Sequence, residues 1–199
     1  MRKIIPILSI AILVIFSVLF FIRDDREINI NKDISVESMD IKQLTPLVSP
    51  YVSEYYDNED YHLGGVSIQS TNGLKGEIKL TFASDSGSKS EVVEVQLDSE
   101  LNKLISLTSL GTDDVLNPPG VIHPESWNYD YTQAFDIAKK FLLEKNNKLE
   151  YDQVLVSTKN RNSEYWEFRF QNLKSFETYW CFVDPYTGQV IDSGLTKTK

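Results

Sequence analysis

The sequence predicts an α+β protein with two tandem units, each a helix packed on an antiparallel sheet, after an N-terminal transmembrane helix. Three features predict this class: an uncharged apolar run over residues 4–22, a helix-then-strands pattern over residues 130–195, and a weaker copy of that pattern over residues 41–110. The chain of 199 residues is 41% hydrophobic and 25% charged, which is typical of a folded globular protein and excludes chain-wide disorder. Its single cysteine, Cys181, excludes an internal disulfide, so the fold must rest on core packing.

Residues 1–26 are predicted to form an uncleaved membrane anchor. As a helix rising about 1.5 Å per residue, residues 4–22 would span the roughly 30 Å hydrocarbon core of a bilayer. Arg2 and Lys3 precede the run and no net charge follows it directly, so the positive-inside rule places the N-terminus in the cytoplasm. The run ends in bulky residues that signal peptidase does not accept, and no cysteine follows it for lipid attachment. The sequence therefore predicts a single-pass cell-membrane protein with its C-terminal domain outside; a cleaved, secreted form is the alternative.

The rest of the chain is acidic. The net charge is −9, and residues 1–26 are themselves net positive, so the acidity belongs to residues 27–199. An acidic body is repelled by a phosphate backbone, which excludes nucleic acid as the expected partner. Residues 27–40 combine acidic side chains with few large apolar ones and no period, which predicts a stalk between membrane and domain.

The second unit, residues 130–195, has the clearer pattern. Asp130 and Gln133 form a capping-box-like start, and apolar residues then recur at helical spacing, which predicts a helix over about 131–145. Alternating apolar runs separated by turn-forming residues predict an antiparallel meander after it. The predicted strands cover residues 154–157, 165–170, 178–183 and 189–192.

The first unit, residues 41–110, repeats this order more weakly. A helix is predicted within residues 41–57, where Pro50 should kink or divide it. The predicted strands cover residues 66–70, 76–83, 91–98 and 103–109. The two units correspond best at their last hairpin, where Asp98 and Asp184 are expected to accept main-chain N–H bonds while Asn102 and Gly188 adopt the left-handed conformation.

Residues 111–129, which contain three prolines and no period, are predicted to be a connector between the units. The length of this segment leaves open whether the units pack face to face or end to end, or whether the connector folds between them.

Residues about 130–193 resemble the PepSY domain family. The resemblance is carried by the helix start Thr132-Gln133-Ala134-Phe135-Asp136-Ile137-Ala138, by Tyr165-Trp166-Glu167-Phe168, and by the ending Asp184-Pro185-Tyr186-Thr187-Gly188-Gln189-Val190. It implies a non-catalytic module that inhibits or regulates an enzyme near the cell envelope, and it brings no catalytic residue. The first unit matches only in layout and is a divergent PepSY-like unit, because its last turn lacks the Thr-Gly pair.

Catalytic, metal and cofactor sites are not predicted. The two histidines, His62 and His123, belong to no metal-binding motif, and no phosphate-binding loop or nucleophile elbow occurs. Cys181 alternates with apolar strand residues, so we expect it in the core rather than as a nucleophile.

Strand alternation predicts which face of each sheet packs on its helix. The expected inward residues are Ile78, Leu80, Phe82, Val93, Val95 and Leu97 in the first unit, and Trp166, Phe168, Phe170, Tyr179, Cys181 and Val183 in the second. The opposite face of the first unit is polar, with Glu77, Lys79, Thr81, Glu94 and Gln96. The opposite face of the second unit carries Tyr165, Glu167, Arg169, Trp180 and Phe182.

Exposed aromatic side chains of this kind predict that something covers them. The first unit or the connector, with Val121, Ile122, Trp127 and Tyr129, is one candidate cover. Otherwise the face is a partner site, formed by Tyr165, Arg169, Trp180 and Phe182, because aromatic and arginine side chains dominate binding hot spots.

Two functions are consistent with these observations. The first is a membrane-anchored, extracytoplasmic, non-catalytic interaction module that regulates or inhibits a peptidase or another envelope enzyme, with the membrane and an extracytoplasmic protein as its partners. The alternative is a carrier or sensor that holds a small apolar or cell-wall ligand between the two units. An aromatic-lined cleft between the units would favour the alternative, and a filled interface with an exposed sheet edge or face would favour the first function.

Overall fold

A computed structural model describes residues 27–34, 40–56, 61–86, 89–114, 120–160 and 164–197. Within these ranges no helix is both long enough and apolar enough to cross a membrane. The predicted anchor, residues 1–26, lies outside the described residues.

Besides a short 3₁₀ helix at Pro124–Ser126, two α-helices and nine strands make up the described part. In chain order they are β1 (Glu27–Asp33), α1 (Ile41–Tyr56), β2 (His62–Asn72), β3 (Lys75–Ser86), β4 (Lys89–Asp98), β5 (Lys103–Asp114), α2 (Tyr131–Asn146), β6 (Gln153–Asn160), β7 (Glu164–Asn172), β8 (Glu177–Val183) and β9 (Val190–Lys197). All nine strands belong to one antiparallel sheet with the order β1-β5-β4-β3-β2-β6-β7-β8-β9.

The prediction of two tandem units, each with its own helix and sheet, is wrong. β2 and β6 pair directly, with Ser67 opposite Ser157 and Ser70 opposite Val154, so the strands of both halves form one continuous sheet. The physical reason is that each half would otherwise leave a row of unpaired N–H and C=O groups along one edge. Pairing β2 with β6 satisfies both rows at once and joins the two hydrophobic layers into one core.

Residues 27–33 belong to the segment for which the composition predicted a stalk, yet they form the edge strand β1. Glu27 lies opposite Thr108 and Asp33 opposite Lys103 on β5. Ile30 packs against the core, which supplies the apolar contact that the acidic composition concealed. The predicted connector is also shorter than expected, because β5 continues to Asp114.

Strand alternation correctly predicted the face that packs on the helices. Every predicted inward residue is buried except Tyr179, which is half-buried. The core combines these side chains with the apolar faces of both helices, such as Leu44 and Val48 on α1 and Ala134 and Leu142 on α2. α1 is one helix that continues through both Pro46 and Pro50, so Pro50 does not divide it.

The N-termini of the two helices meet at the side chain of Asp130. Its carboxylate accepts a bond from the main-chain N–H of Tyr131 at 2.7 Å and from that of Lys42 at 3.2 Å, so it caps both helices. The reciprocal contact comes from Thr132, whose hydroxyl donates to Asp40 at 2.6 Å. Asp130 is only 3% exposed, and burial raises its pKa to about 6 although its main-chain hydrogen bonds act in the opposite direction.

The last turn of each half has the geometry that its residue types predict. Asp98 and Asp184 each accept two main-chain N–H bonds from their own turn, at 2.7 to 3.1 Å. Asn102 and Gly188 both adopt the left-handed conformation, with φ of 50° and 70°. A Cβ atom at Gly188 would also lie 2.8 Å from the ring of Tyr129, so this glycine allows the connector to pack on the turn.

Candidate functional site

The open face of the sheet, opposite the helices, carries a row of aromatic side chains that we name the aromatic strip: Tyr165, Phe182 and Trp180. β7 and β8 are neighbours in the sheet, which brings the strip together. The ring centroids of Tyr165 and Phe182 are 4.8 Å apart, and those of Phe182 and Trp180 are 5.1 Å apart. All three side chains are half-buried, because they pack on one another.

Gly194 on β9 determines where Trp180 lies. The two residues are directly opposite each other, and a Cβ atom at position 194 would be 2.5 Å from Cζ2 of the indole. No real Cβ tolerates that distance to a ring. The missing side chain therefore lets the indole lie flat across β9, which extends the strip to the edge strand.

Arg169 and Glu167 form an ion pair beside the strip. Arg169 lies opposite Trp180, and Glu167 lies opposite Phe182. Both Nε and Nη2 of Arg169 donate to Oε1 of Glu167, each at 2.6 Å. The Glu167 side chain is 4% exposed and that of Arg169 is 47% exposed. The pair thus places a buried negative charge under the rings and a neutralised guanidinium beside them, with N–H groups still directed to solvent.

Of the two alternatives for this face, coverage by the connector or the first half is not what the described residues show. Trp127 is buried on the helix side, with its ring centroid 4.9 Å from that of Trp166. Ile122 is also buried, and its main-chain N–H donates a hydrogen bond to the carbonyl of Leu63. The first half extends the sheet sideways instead of packing on it. Both helices and residues 120–129 of the connector therefore lie on the opposite face, and nothing in the described ranges covers the strip. The structure brings together all four predicted partner-site residues.

In the middle of the β9 edge, the polar groups of Ser193 already have partners within the chain. The main-chain N–H of Ser193 donates to Asp192 Oδ1 at 2.7 Å. Its carbonyl accepts from Nζ of Lys145 on α2 at 3.2 Å, and its hydroxyl from the same amine at 2.8 Å. These groups are consequently not open to an added strand.

At the other edge, β1 contains a register shift between Asn29 and Lys32, with Asn31 at φ 43°. Such an irregularity interrupts the flat row of groups that another strand would need.

The residues considered for chemistry are separated in the structure. Cys181 is buried in β8, and burial raises the pKa of its thiol to about 12, which disfavours the reactive thiolate. His62 begins β2, whereas His123 is exposed and lies 3.1 Å from the Glu125 carboxylate. Across the described ranges, no three His, Cys, Asp or Glu side chains group closely enough to hold a metal ion.

A small pocket lies between β1, α1 and β5. Its volume is about 50 Å³, against roughly 300–1,000 Å³ for a typical ligand site. The lining residues are Lys32, Asp33, Ile34, Leu47, Tyr51 and Leu104. A pocket of this size does not favour the carrier alternative, which stays a prediction.

We expect Gly194→Ala to displace Trp180 and to lower the free energy of unfolding by about 1–2 kcal/mol, because the added methyl group overpacks the indole. The displacement is measured as a shift of the Trp180 indole N–H signal in a ¹H–¹⁵N spectrum. Gly65→Ala is the matched control on the same face, since a Cβ atom there would lie 3.6 Å from Thr81, an ordinary contact. An unchanged Trp180 signal in Gly194→Ala would contradict the assigned geometry.

Sequence reasoning missed Gly194 as part of this site. An isolated glycine within a strand was the available signal, since it often marks a close approach of another group. The edge protection by Lys145 had no sequence signal, because it joins residues 48 positions apart.

No protein-family model matches the chain, and no curated protein matches it by sequence. Among solved structures, the chain is similar to a protein from Clostridium difficile 630 that is described as a candidate lipoprotein. The two are 14% identical with a TM-score of 0.50, and the match covers 83% of this chain and 96% of that one. This likeness shows a shared fold, and the resemblance of residues 130–193 to the PepSY family stays a prediction.

Proposed function

We propose that this protein is an extracytoplasmic, membrane-associated, non-catalytic interaction module that binds a protein of the cell envelope through the aromatic strip. The single observation that carries the proposal is the strip itself: three rings in contact, flanked by Arg169, on a sheet face that no described element covers. Aromatic and arginine side chains are the types most enriched in binding hot spots.

The location rests on two supports. The uncharged run over residues 4–22 is long enough to associate with a membrane, and the structural neighbour is described as a candidate lipoprotein. Cys181 is no candidate for lipid attachment because it is buried. The apolar run is therefore the part that we propose to hold the domain at the membrane.

The regulatory role, control of a peptidase or another envelope enzyme, rests on the resemblance of residues 130–193 to the PepSY family. The geometry is compatible with it, because the family's Asp-x-x-Thr-Gly segment forms a turn and leaves the strip free for binding. Asp184 and Gly188 act as turn architecture, and Asp98 and Asn102 reproduce the same turn with different residues.

Replacing two of the three rings, Trp180 and Phe182, should abolish partner binding while the fold survives. We name the change Trp180→Thr with Phe182→Thr the strip variant; threonine suits strands, and the half-buried rings should cost about 2 kcal/mol of folding stability together. Ser67→Thr with Gln69→Thr is the control variant, since both residues are exposed on the same face at the sheet centre. Intact cells expressing each full-length form are treated with a membrane-impermeant crosslinker, and the adducts are compared.

The expected result is a specific protein adduct that forms with the wild type and the control variant and is lost with the strip variant. Equal adducts in all three forms would show that the strip is not the binding site. Adducts that form only after cell lysis would contradict the extracytoplasmic location.

A further inference from the structure

We infer that the ligand of the aromatic strip is an extended, basic segment of a polypeptide that lies flat on the sheet face. This inference rests on the proposed function, because it requires the strip to be a binding site. It specifies the chemistry and the binding mode of the partner.

Edge protection determines the binding mode. At β9 the main-chain groups of Ser193 already have partners within the chain, and β1 is interrupted by its register shift. These two features disfavour a tenth strand across the middle of β9 and across the irregular part of β1. Trp180, lying flat over Gly194, instead offers a ring face that is directed away from the sheet.

The size of the apolar surface excludes a second copy of the chain as the expected occupant. A large aromatic side chain buries about 150–250 Å², so three half-buried rings offer at most roughly 350 Å². A standard stable interface needs about 800 Å² on each partner. Two copies, each with a net charge of −9, would also repel each other. A narrow segment that covers the strip alone fits the available surface.

Charge determines the kind of segment. The guanidinium of Arg169 is neutralised by Glu167, whereas Asp192, opposite Phe182, contributes a negative charge beside the strip. The whole chain is acidic, so its field attracts cations and repels acidic peptides, nucleic acids and anionic lipids. The faces of tryptophan and tyrosine rings also attract lysine and arginine side chains directly. These charges favour a segment that carries lysine or arginine.

The test uses the full chain in detergent micelles with two surfaces: an array of random-sequence dodecapeptides and an array of neutral oligosaccharides. The wild type, the strip variant and the control variant are compared on both arrays, and retained peptides are titrated at low and high salt. We expect retained peptides to be enriched in lysine and arginine, to bind the strip variant at least tenfold more weakly, and to bind the control variant like the wild type.

Three results would overturn the inference. Peptides that depend on the strip but are neutral or acidic would refute the basic segment while leaving the proposed function intact. Strip-dependent retention on the oligosaccharide array alone would identify a sugar ligand instead. Equal binding by the wild type and the strip variant on both arrays would refute this inference and the proposed function together.

Discussion

Trp166→Ala is expected to lower the free energy of unfolding by about 4 kcal/mol or more, a large part of the roughly 5–15 kcal/mol that stabilises a typical domain. Trp166 is fully buried, and its ring centroid lies 4.9 Å from that of Trp127 and 6.0 Å from that of Tyr131. Its indole N–H also donates to the carbonyl of Tyr129 at 3.1 Å. The substitution therefore creates a cavity where β7, α2 and the connector meet. It also removes the indole N–H that donates a hydrogen bond to the carbonyl of Tyr129.

Denaturant unfolding measures this effect, with Trp180→Ala as the matched control. Trp180 lies on the same sheet but is half-buried. Its replacement by alanine should therefore lower the free energy of unfolding by only about 1–2 kcal/mol, less than the loss of a fully buried aromatic side chain does. Trp166→Phe should lose the hydrogen bond but keep most of the packing. Equal losses for Trp166→Ala and Trp180→Ala would contradict the assignment of the two faces.

The stability of the wild type should fall by about 2–2.5 kcal/mol between pH 4 and pH 7 relative to that of Asp130→Asn. Burial raises the pKa of Asp130 to about 6 in the folded state, whereas its ordinary value is 3.8. The folded state therefore binds a proton more tightly than the unfolded state does. The stabilisation that protonated Asp130 gives the folded state is complete below about pH 4, and it is lost as the pH rises through about 6.

Asparagine keeps the size of the side chain and an oxygen acceptor at the junction of the two helices, but it does not titrate. The difference between the unfolding free energies of wild type and variant, measured at several pH values, isolates this one group from the other carboxylates. Two parallel pH profiles would show that Asp130 is not buried between the helix N-termini. A difference that grows in the opposite direction would mean that the two helix ends stabilise the carboxylate more than burial penalises it.

Much of the secondary structure follows from local pattern. The α2 helix was predicted from its apolar spacing and the Asp130 start, and the structure places it at Tyr131–Asn146. Alternation identified the buried strand face, because neighbouring residues of a strand must point in opposite directions. The turns at 98–102 and 184–188 were predicted from residue types alone, since few residues tolerate a positive φ.

The continuity of the sheet could not be predicted in this way. Whether β2 pairs with β6 depends on main-chain groups that every residue carries, so side-chain patterns do not reveal it. The β1 strand was misjudged for a related reason: its acidic composition is that of a linker, and only pairing with β5 makes it a strand. Pro50 does not divide α1, because tertiary packing of Leu44, Val48 and Val52 outweighs the local penalty for a helix through proline.

The sequence by itself determined that Tyr165, Arg169, Trp180 and Phe182 share one face, because strand period and hairpin order leave no other arrangement. Only the tertiary structure decided that this face has no cover among the described residues. The connector, with Trp127, could have packed on either side of the sheet, and it packs on Trp166, where a buried aromatic layer, a hydrogen bond to Glu164 and the Asp184 turn hold it. Such a choice depends on the sum of many contacts between distant residues, and no local pattern encodes that sum.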